Sequence, residues 1–278
     1  MSFAVFLLVL VGAALHASWN VVVKRGDDTA RMSVLVATTA AAISAAGLVF
    51  VEAPAPASWP FAAGSVALQV VYWVAIANAY RIADMSQAYP LMRGTAPLLV
   101  AMVSITAFGD VLTTTAWAGV SLVSAGIAAM TLGGGRGGDA RGVVVALATA
   151  VVIAAYTIVD GIGVRRSGSP IGYTLWILLL TAVPLLGWEL SRDPRRSLAF
   201  ARANLGLGLF GGFGTLASYG IALWAMTQAP VAVVAALRET SILFGTVIAV
   251  VVLKERVGRL RLAAVGLIAL GAAVLRAA

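Results

Sequence analysis

Long apolar runs separated by short polar segments extend along nearly the whole chain. None of these runs alternates apolar and polar residues over about ten positions, as a strand of a membrane β-barrel would. A helix needs about 20 mostly apolar residues to cross the hydrocarbon layer of a bilayer. The pattern therefore predicts an all-α membrane protein with ten transmembrane helices, at 2–23, 30–51, 59–80, 85–108, 112–132, 142–163, 171–190, 204–226, 229–252 and 258–277.

Short polar or glycine-rich segments mark the predicted turns. Charged residues at 24–28 end the first run, and the segment with two prolines at 52–56 ends the second. The most glycine-rich segment lies near the middle of the chain. We therefore predict a first five-helix repeat at 1–132, a glycine-rich connector at 133–141 and a second five-helix repeat at 142–278.

The two five-helix units resemble each other when the sequence is shifted by 145 residues. The shift pairs Ile76 with Ile221, Ala77 with Ala222, Arg93 with Arg238, Thr95 with Thr240, Leu98 with Leu243, Asp110 with Glu255, Leu122 with Leu267 and Gly126 with Gly271. The rare Arg, acidic and Gly pairs are more informative than the shared Ala or Leu, although chance similarity between apolar helices is the alternative. Because each unit has an odd number of helices, the second would insert upside down, and inverted repeats place a binding site near the middle of the membrane.

Composition agrees with this architecture and excludes several other classes of protein. The 278-residue chain is 61% hydrophobic and 11% charged, against roughly 25% charged residues in soluble chains, so no segment remains for a soluble domain. The chain has no cysteine and one histidine, which excludes disulfides and thiolate metal sites and argues against a histidine-based metal centre. We expect no cofactor and no metal.

The net charge of +8 comes from basic residues in short loops and predicts no binding of nucleic acid. One set of alternate loops holds 14 Lys or Arg, and the opposite side holds 3, at Arg165, Arg166 and Arg276. The positive-inside rule puts the larger set in the cytoplasm and both termini outside. The first apolar run lacks a basic n-region and continues to Val23, so we expect a retained helix in a multi-pass protein of a bacterial inner membrane.

Four charged residues fall inside predicted helices, where a charge costs about 2.5–3.5 kcal/mol on insertion scales. They are Arg93 in the fourth helix, Asp160 in the sixth, and Arg238 and Glu239 in the ninth. Each arginine lies roughly 12 Å along its helix at 1.5 Å per residue, so in an inverted repeat the pair would flank the midplane and bind an anionic group. The alternative is that Arg93 pairs with Asp160 or Glu239 merely to hold the helices together.

Polar and aromatic residues share helix faces with these charges. His16, Trp19 and Asn20 follow helical spacing along one stripe of the first helix, and tyrosines lie one turn from Arg93 and Asp160. Aromatic walls with a few polar anchors are typical of small-molecule pockets. The predicted substrate-binding residues are Arg93, Arg238, His16, Trp19, Asn20, Tyr72, Tyr80, Tyr89, Tyr156 and Tyr219. For each single tyrosine the alternative is a place in the interfacial aromatic belt.

The two intramembrane carboxylates are candidates for carrying a coupling proton. We favour Asp160 over Glu239, because Tyr156 one turn away is spaced to hydrogen-bond it, and we expect Glu239 to face the first helix near His16. A fixed, non-titrating Asp160–Arg93 pair is the alternative. In the eighth helix Gly208 and Gly212 have a spacing that fits either close packing within the chain or a dimer face, so we expect a monomer or a homodimer.

Several short motifs carry a resemblance that covers essentially the whole chain. The stretch Leu15-His16-Ala17-Ser18-Trp19-Asn20 resembles the first helix of EamA-like proteins in the drug/metabolite transporter superfamily. The pairs Tyr80-Arg81 and Arg93-Gly94, with Tyr89-Pro90-Leu91 and Ala96-Pro97, are similar to its third and fourth helices. Ala236-Leu237-Arg238-Glu239-Thr240, followed by Lys254-Glu255, resembles its ninth helix and the exit from it.

The resemblance implies a ten-helix bundle with a central cavity that moves a metabolite across the bilayer by alternating access. Small multidrug members of the superfamily use an acidic residue in the first helix, where this chain has none, so we expect a zwitterionic or anionic cargo. The cargo and the lipid bilayer are the expected partners. Alternatives to a secondary transporter are a membrane-embedded enzyme, for which metal-binding Asp clusters or a His/acid pair are missing from the sequence, and a non-transporting membrane partner.

Overall fold

The computed structural model describes residues 1–25, 28–82, 85–109, 111–130, 140–251, 254 and 258–278. All regular structure in these residues is helical, as the sequence predicts. The α-helices are α1 Phe3–Arg25, α2 Thr29–Gly47, α3 Trp59–Ile82, α4 Met85–Phe108, α5 Thr114–Ala129, α6 Ala140–Arg166, α7 Pro170–Arg192, α8 Pro194–Ala203, α9 Leu205–Met226, α10 Val231–Arg238, α11 Ser241–Val251 and α12 Arg259–Ala277. Residues 133–139 of the predicted connector at 133–141 lie outside the described part of the chain, and its last two residues, 140 and 141, begin α6.

Seven helical segments within the described residues are long and apolar enough to cross a membrane. They are Phe3–Val21, Thr29–Phe50, Ala140–Arg166, Pro170–Arg192, Leu205–Met226, Val231–Val251 and Arg259–Ala277. Two shorter apolar segments, Pro90–Thr106 and Thr114–Ala129, lie in α4 and α5. The prediction of a helical membrane protein is confirmed at this level, whereas ten crossings in two repeats stay a prediction.

Two segments differ from the helix boundaries that the sequence predicts. The predicted helix at 229–252 is divided into α10 and α11, because the backbone N–H groups of Glu239 and Thr240 bond to carbonyls only three residues back. Such tightening to a 3₁₀ turn within a helix often marks a hinge. The predicted loop after α7 contains a helix, α8, which Asp193 caps by accepting from the Arg196 N–H.

Helices α5 and α12 pack so closely that glycine is required at both sides of their contact. A Cβ at Gly126 would lie 2.8 Å from the Ala264 carbonyl oxygen, and a Cβ at Gly271 would lie 3.0 Å from the Gly119 carbonyl oxygen. The first contact joins an early residue of α12 to a late residue of α5, and the second joins the opposite ends. The two helices are therefore antiparallel.

Contacts between distant segments define two ends of the helix bundle. At one end the Ala55 N–H donates to the Ser167 carbonyl, and Arg165 donates to the carbonyls of Met226 and Ala229 at 2.8 and 3.0 Å. At the other end the N-terminal turn of α2 meets the C-terminal turn of α7, where Arg31 Nε lies 3.0 Å from Glu189 Oε1. Both ends are thus held by hydrogen bonds and ion pairs between helices.

The face of α9 that carries Gly208 and Gly212 packs against α2 of the same chain. A Cβ at Gly208 would lie 2.7 Å from the Leu35 side chain, and a Cβ at Gly212 would lie 2.7 Å from the Ala40 nitrogen. The Thr39 hydroxyl also donates to the Gly208 carbonyl at 2.6 Å. The spacing of Gly208 and Gly212 therefore serves close packing within the chain, and the homodimer stays a prediction.

Candidate functional site

A buried cleft lies where α1, α4, α9 and α10 meet, between the two halves of the chain. The cavity within it is small, about 10 Å³, which is roughly the space that one water molecule needs. It is lined by Val9, Gly12, Ala13, His16, Arg93, Ser218, Ile221, Ala222 and Arg238. Three residues that the sequence predicts to bind substrate, His16, Arg93 and Arg238, thus line one space.

Arg93, which lines the cleft, forms an ion pair with Glu239. The Arg93 Nε lies 2.9 Å from the Glu239 Oε2. Both residues are buried, with 7% and 5% of their surface exposed. The sequence left this pairing open as an alternative to cargo binding by Arg93. We expected Glu239 to face the first helix, but it contacts Arg93 of α4 instead. The reason is that Glu239 lies at the turn after α10, and α10 packs against α4.

Arg238 is half-buried and has a different environment from Arg93. Its guanidinium carbon lies 5.9 Å from the centre of the Tyr219 ring, within the range of a cation–π contact. None of the ion pairs in the described part of the chain includes Arg238. The cleft therefore presents one arginine held by a carboxylate and one arginine that lies over an aromatic ring.

Asp160 lies behind Tyr219 and is almost completely buried, with 1% of its surface exposed. The Tyr219 hydroxyl donates to Asp160 Oδ2 at 2.5 Å. Gln69 in α3 donates through Nε2 to the Tyr219 hydroxyl at 3.0 Å and to the Ser65 hydroxyl at 2.9 Å. A polar network thus runs from α3 through Tyr219 to Asp160.

Tyr156 does not take the place beside Asp160 that the sequence predicts. Its ring packs edge-on against the ring of Tyr72, with centroids 5.9 Å apart. Tyr156 belongs to an apolar cluster with Met92 and Ile153, between α6 and α4. The tyrosine from α9 occupies the hydrogen-bonding position instead, because α9 and α6 are in contact. The alternative pairing of Asp160 with Arg93 is also absent, since Arg93 pairs with Glu239.

The polar stripe of the first helix divides between three environments. His16 lines the cleft, and its ring packs edge-on against Trp19 with centroids 5.1 Å apart. Trp19 lies against α9, where a Cβ at Gly214 would be 3.2 Å from the Trp19 Cβ. The Asn20 amide donates to the His16 carbonyl at 2.7 Å and so bonds to its own helix. Neither Trp19 nor Asn20 is among the residues that line the cleft.

The remaining predicted tyrosines and the polar residues that sequence reasoning missed complete the site. The side chains of Tyr80 and Tyr89 lie outside the described part of the structure. Ser65 and Gln69 were missed, although a serine and a glutamine four residues apart in an apolar run are a usable signal. No group of three or more His, Cys, Asp or Glu side chains within the described residues is placed to hold a metal ion.

Comparisons with known proteins place this geometry in a family. The sequence of residues 140–277 matches the model of the EamA-like transporter family. A crystal structure of another protein, 22% identical in sequence, superimposes with a TM-score of 0.77 over 98% of each chain, which shows a shared fold. No curated protein matches the sequence significantly. The chain belongs to the EamA-like transporter family of the drug/metabolite transporter superfamily.

Proposed function

We propose that the protein is a secondary transporter that moves a small anionic or zwitterionic metabolite across the membrane by alternating access. One observation carries this proposal: Arg93 and Arg238, which occupy equivalent positions in the two halves, line the same buried cleft. Arginine binds a carboxylate through two parallel N–H donors. A site built from one arginine of each half changes shape whenever the halves move relative to each other.

The helix contacts support two inverted five-helix repeats as the scaffold. Helix α1 packs against α9 and α11, and the equivalent α6 packs against α3 and α4. The contacts between α5 and α12 show the same symmetry. Gly126 meets Ala264, and Gly271 meets Gly119. The 145-residue shift converts one contact into the other, because it pairs Gly126 with Gly271 and Gly119 with Ala264. Equivalent helices that run antiparallel are what an inverted repeat requires. Ten membrane crossings then account for all the long apolar runs.

The division between α10 and α11 supports a moving part at the site. Arg238 ends α10, Glu239 and Thr240 form the tightened turn, and Ser241 begins α11. Transporters commonly bind cargo at such discontinuous helices. A change in this turn would alter the ion pair of Glu239 with Arg93 and the position of Arg238 together. We therefore propose that this turn changes between the two arrangements that alternating access needs.

The charges of the cleft favour a cargo with a negatively charged group. Arg238 faces the cleft without a direct ion-pair partner in the described residues, so an incoming carboxylate or phosphate can contact its guanidinium without first displacing an acid. The first helix contributes His16 to the cleft and no acid. Both features are unfavourable for polyvalent organic cations. We propose proton coupling as the source of energy, with Asp160 and Glu239 as the available carboxylates.

Transport by purified protein tests the proposal. Proteoliposomes would be offered a panel of radiolabelled acetate, lactate, pyruvate, glycine, alanine and glucose 6-phosphate. We expect uptake of at least one member by the wild-type protein, and a loss of at least tenfold in Arg93→Lys and Arg238→Lys, because lysine cannot form the bidentate contact. Arg192→Lys is the matched control, since Arg192 is exposed and stacks on Trp188 at the end of α7.

The outcomes separate binding from structure. Normal membrane insertion with wild-type affinity in both cleft variants would show that the arginines are structural. Chemical conversion of a labelled compound without uptake would favour the membrane-enzyme alternative. Equal losses in Arg192→Lys and the cleft variants would also contradict a specific role for the cleft.

A further inference from the structure

Two charged residues, Arg93 and Arg238, line the cleft, and two acids, Glu239 and Asp160, lie one contact further from it, which suggests a charge balance. Arg93 and Glu239 form one direct pair at 2.9 Å. Arg238 and Asp160 form a second, indirect pair, since both contact Tyr219 from different sides: Arg238 lies over the ring and Asp160 accepts from the hydroxyl. With both acids ionised, the two pairs are neutral.

We propose that Asp160 binds the coupling proton and that Tyr219 links this proton to a monoanionic cargo bound at Arg238. Addition of a proton to the Asp160 carboxylate would remove the negative charge behind Tyr219 and leave Arg238 uncompensated. A monoanion at Arg238 would restore neutrality. This inference rests on the proposed transport function and adds a stoichiometry: one proton moves with one monoanion, and the cycle carries no net charge.

The surroundings of Asp160 make it the better of the two acids for this task. Glu239 is held directly by a guanidinium, whereas the neighbours that hydrogen-bond Asp160 are the neutral hydroxyl groups of Tyr219 and Ser65. The other titratable groups near Asp160 are Tyr173 of α7 and Tyr156 of its own helix, with His16 across the cleft. The bond from Gln69 fixes the Tyr219 hydroxyl from the far side at 3.0 Å. Tyr219 is therefore a positioning residue: its hydroxyl is directed at Asp160, and its ring faces Arg238.

The stoichiometry is tested by measuring uptake of the radiolabelled monoanions and zwitterions into proteoliposomes, together with the charge that moves with them, at a controlled membrane potential. With the membrane potential clamped by valinomycin and potassium, an inward proton gradient should drive accumulation of a monoanion. A membrane potential without a proton gradient should drive none. Uptake that follows the potential, or that ignores the proton gradient, would overturn the proposal. Transport of a zwitterion with net charge movement would overturn it as well.

Two variants separate coupling from cargo binding. Asp160→Asn should abolish gradient-driven accumulation while exchange of labelled for unlabelled cargo stays within about twofold of wild type. Tyr219→Phe keeps the ring beneath Arg238 and removes the hydroxyl, so it should reduce gradient-driven accumulation at least tenfold and flatten its pH profile. Tyr173→Phe is the matched control, because Tyr173 is a fully buried neighbour that donates to no acceptor in the described residues. Normal gradient-driven accumulation in Asp160→Asn would exclude Asp160.

Infrared spectroscopy of the purified protein decides the assignment even if no panel member is transported. Acidification should produce the carbonyl stretch of a protonated carboxyl group that is missing in Asp160→Asn and shifted in Tyr219→Phe, since one hydrogen bond is lost. Its presence without any transport would contradict the proposed function and leave the proton site intact. The same band in wild type and Asp160→Asn would overturn the proton site itself.

A second, independent observation concerns α8, the short helix between α7 and α9. Both neighbours are candidate membrane spans, so α8 is placed at a membrane surface if they cross. Its Phe200 packs against the cluster of Met32 and Leu35 in α2, and Ser197 donates to the buried Glu189 at 2.6 Å. Most other residues of the helix are exposed, including Leu198, at 51%, and the three arginines Arg195, Arg196 and Arg202.

We infer that α8 binds the head groups of anionic phospholipids. An apolar residue flanked by arginines on a helix at the bilayer surface is complementary to a negatively charged leaflet. A soluble acidic partner would match the arginines but not Leu198, which needs an apolar neighbour. The bonds to α7 and the packing against α2 keep α8 on the bundle, so lipid bound there contacts a fixed surface.

Nanodiscs of phosphatidylcholine, with and without phosphatidylglycerol, test this surface. Native mass spectrometry should show retention of phosphatidylglycerol, reduced about tenfold in the triple variant Arg195→Gln/Arg196→Gln/Arg202→Gln, since each basic residue near an anionic surface contributes to binding. Arg259→Gln/Arg261→Gln is the control, because these exposed arginines begin α12 and lie outside α8. Equal retention in the triple variant and wild type would overturn the assignment.

Discussion

The buried guanidinium of Arg93 and the carboxylate of Glu239 join the two halves of the chain beside the cleft, with Nε and Oε2 2.9 Å apart. The ion pair connects α4 with the turn between α10 and α11, where the helix is discontinuous. It therefore ties the site to the turn that we propose to move during transport. Any movement of one half against the other has to keep, break or exchange this contact.

The first prediction concerns the stability of this pair. Glu239→Gln would leave Arg93 buried beside a neutral group, and removing one partner of a buried pair typically costs about 3–5 kcal/mol. We expect a clear decrease in unfolding temperature, measured by the thermal aggregation of a fluorescent fusion in detergent. Replacing both residues, in Arg93→Met/Glu239→Gln, should restore part of the loss because no uncompensated charge remains. A single variant as stable as wild type would show that the pair is not formed in the resting state.

The sequence predicts the helical class, most helix positions and the two arginines of the cleft, because these depend on local signals. Apolar length determines the helices, and a rare charge in an apolar run stands out. The partners of these charges could not be predicted, since Tyr219 and Glu239 reach Asp160 and Arg93 only through the packing of α9 on α6 and of α10 on α4. Helical spacing within one element favoured Tyr156, which tertiary packing directs to Tyr72.

The second prediction tests the contact between the equivalent helices α5 and α12. Gly126→Leu places a side chain where a Cβ already approaches the Ala264 carbonyl to 2.8 Å, and such overpacking typically costs about 1–3 kcal/mol. We expect a lower unfolding temperature and less folded protein in the membrane. Gly266→Leu is the matched control, because a Cβ there meets no atom within 4 Å. Similar effects of both variants would show that helix propensity, and not the close contact, explains the result.

The third prediction concerns orientation in the membrane. The side of the bundle that holds the loop between α2 and α3 has few basic residues, and the positive-inside rule puts it outside the cell. A single cysteine at Ala53, which is exposed in that loop, should react with an impermeant maleimide in intact cells. A single cysteine at Ala199 in α8, also exposed, should react only after lysis. The chain has no native cysteine, so the labelling has no background, and the reverse pattern would show cytoplasmic termini.

The last prediction tests alternating access with a disulfide across the cleft. A Cβ at Gly12 in α1 would lie 3.5 Å from the Ile221 Cβ in α9, within the range that a disulfide spans. Both residues line the cleft, and they belong to different halves of the chain. Oxidation of Gly12→Cys/Ile221→Cys should hold the halves in the arrangement seen here and abolish transport. Reduction should restore transport at least partly, because the cross-link is the only change between the two states.

A second cysteine pair provides the control for the cross-link itself. A Cβ at Gly94 in α4 would lie 3.3 Å from the Ile127 Cβ in α5, and both helices belong to the first half. A disulfide there constrains one half internally and leaves its movement against the other half free. Transport should therefore survive oxidation of Gly94→Cys/Ile127→Cys. If transport continues with the Gly12–Ile221 pair fully oxidised, as measured by the mobility shift of a maleimide-polymer label, then α1 and α9 move as one body. The moving boundary would then have to lie elsewhere, with the turn between α10 and α11 as the remaining candidate.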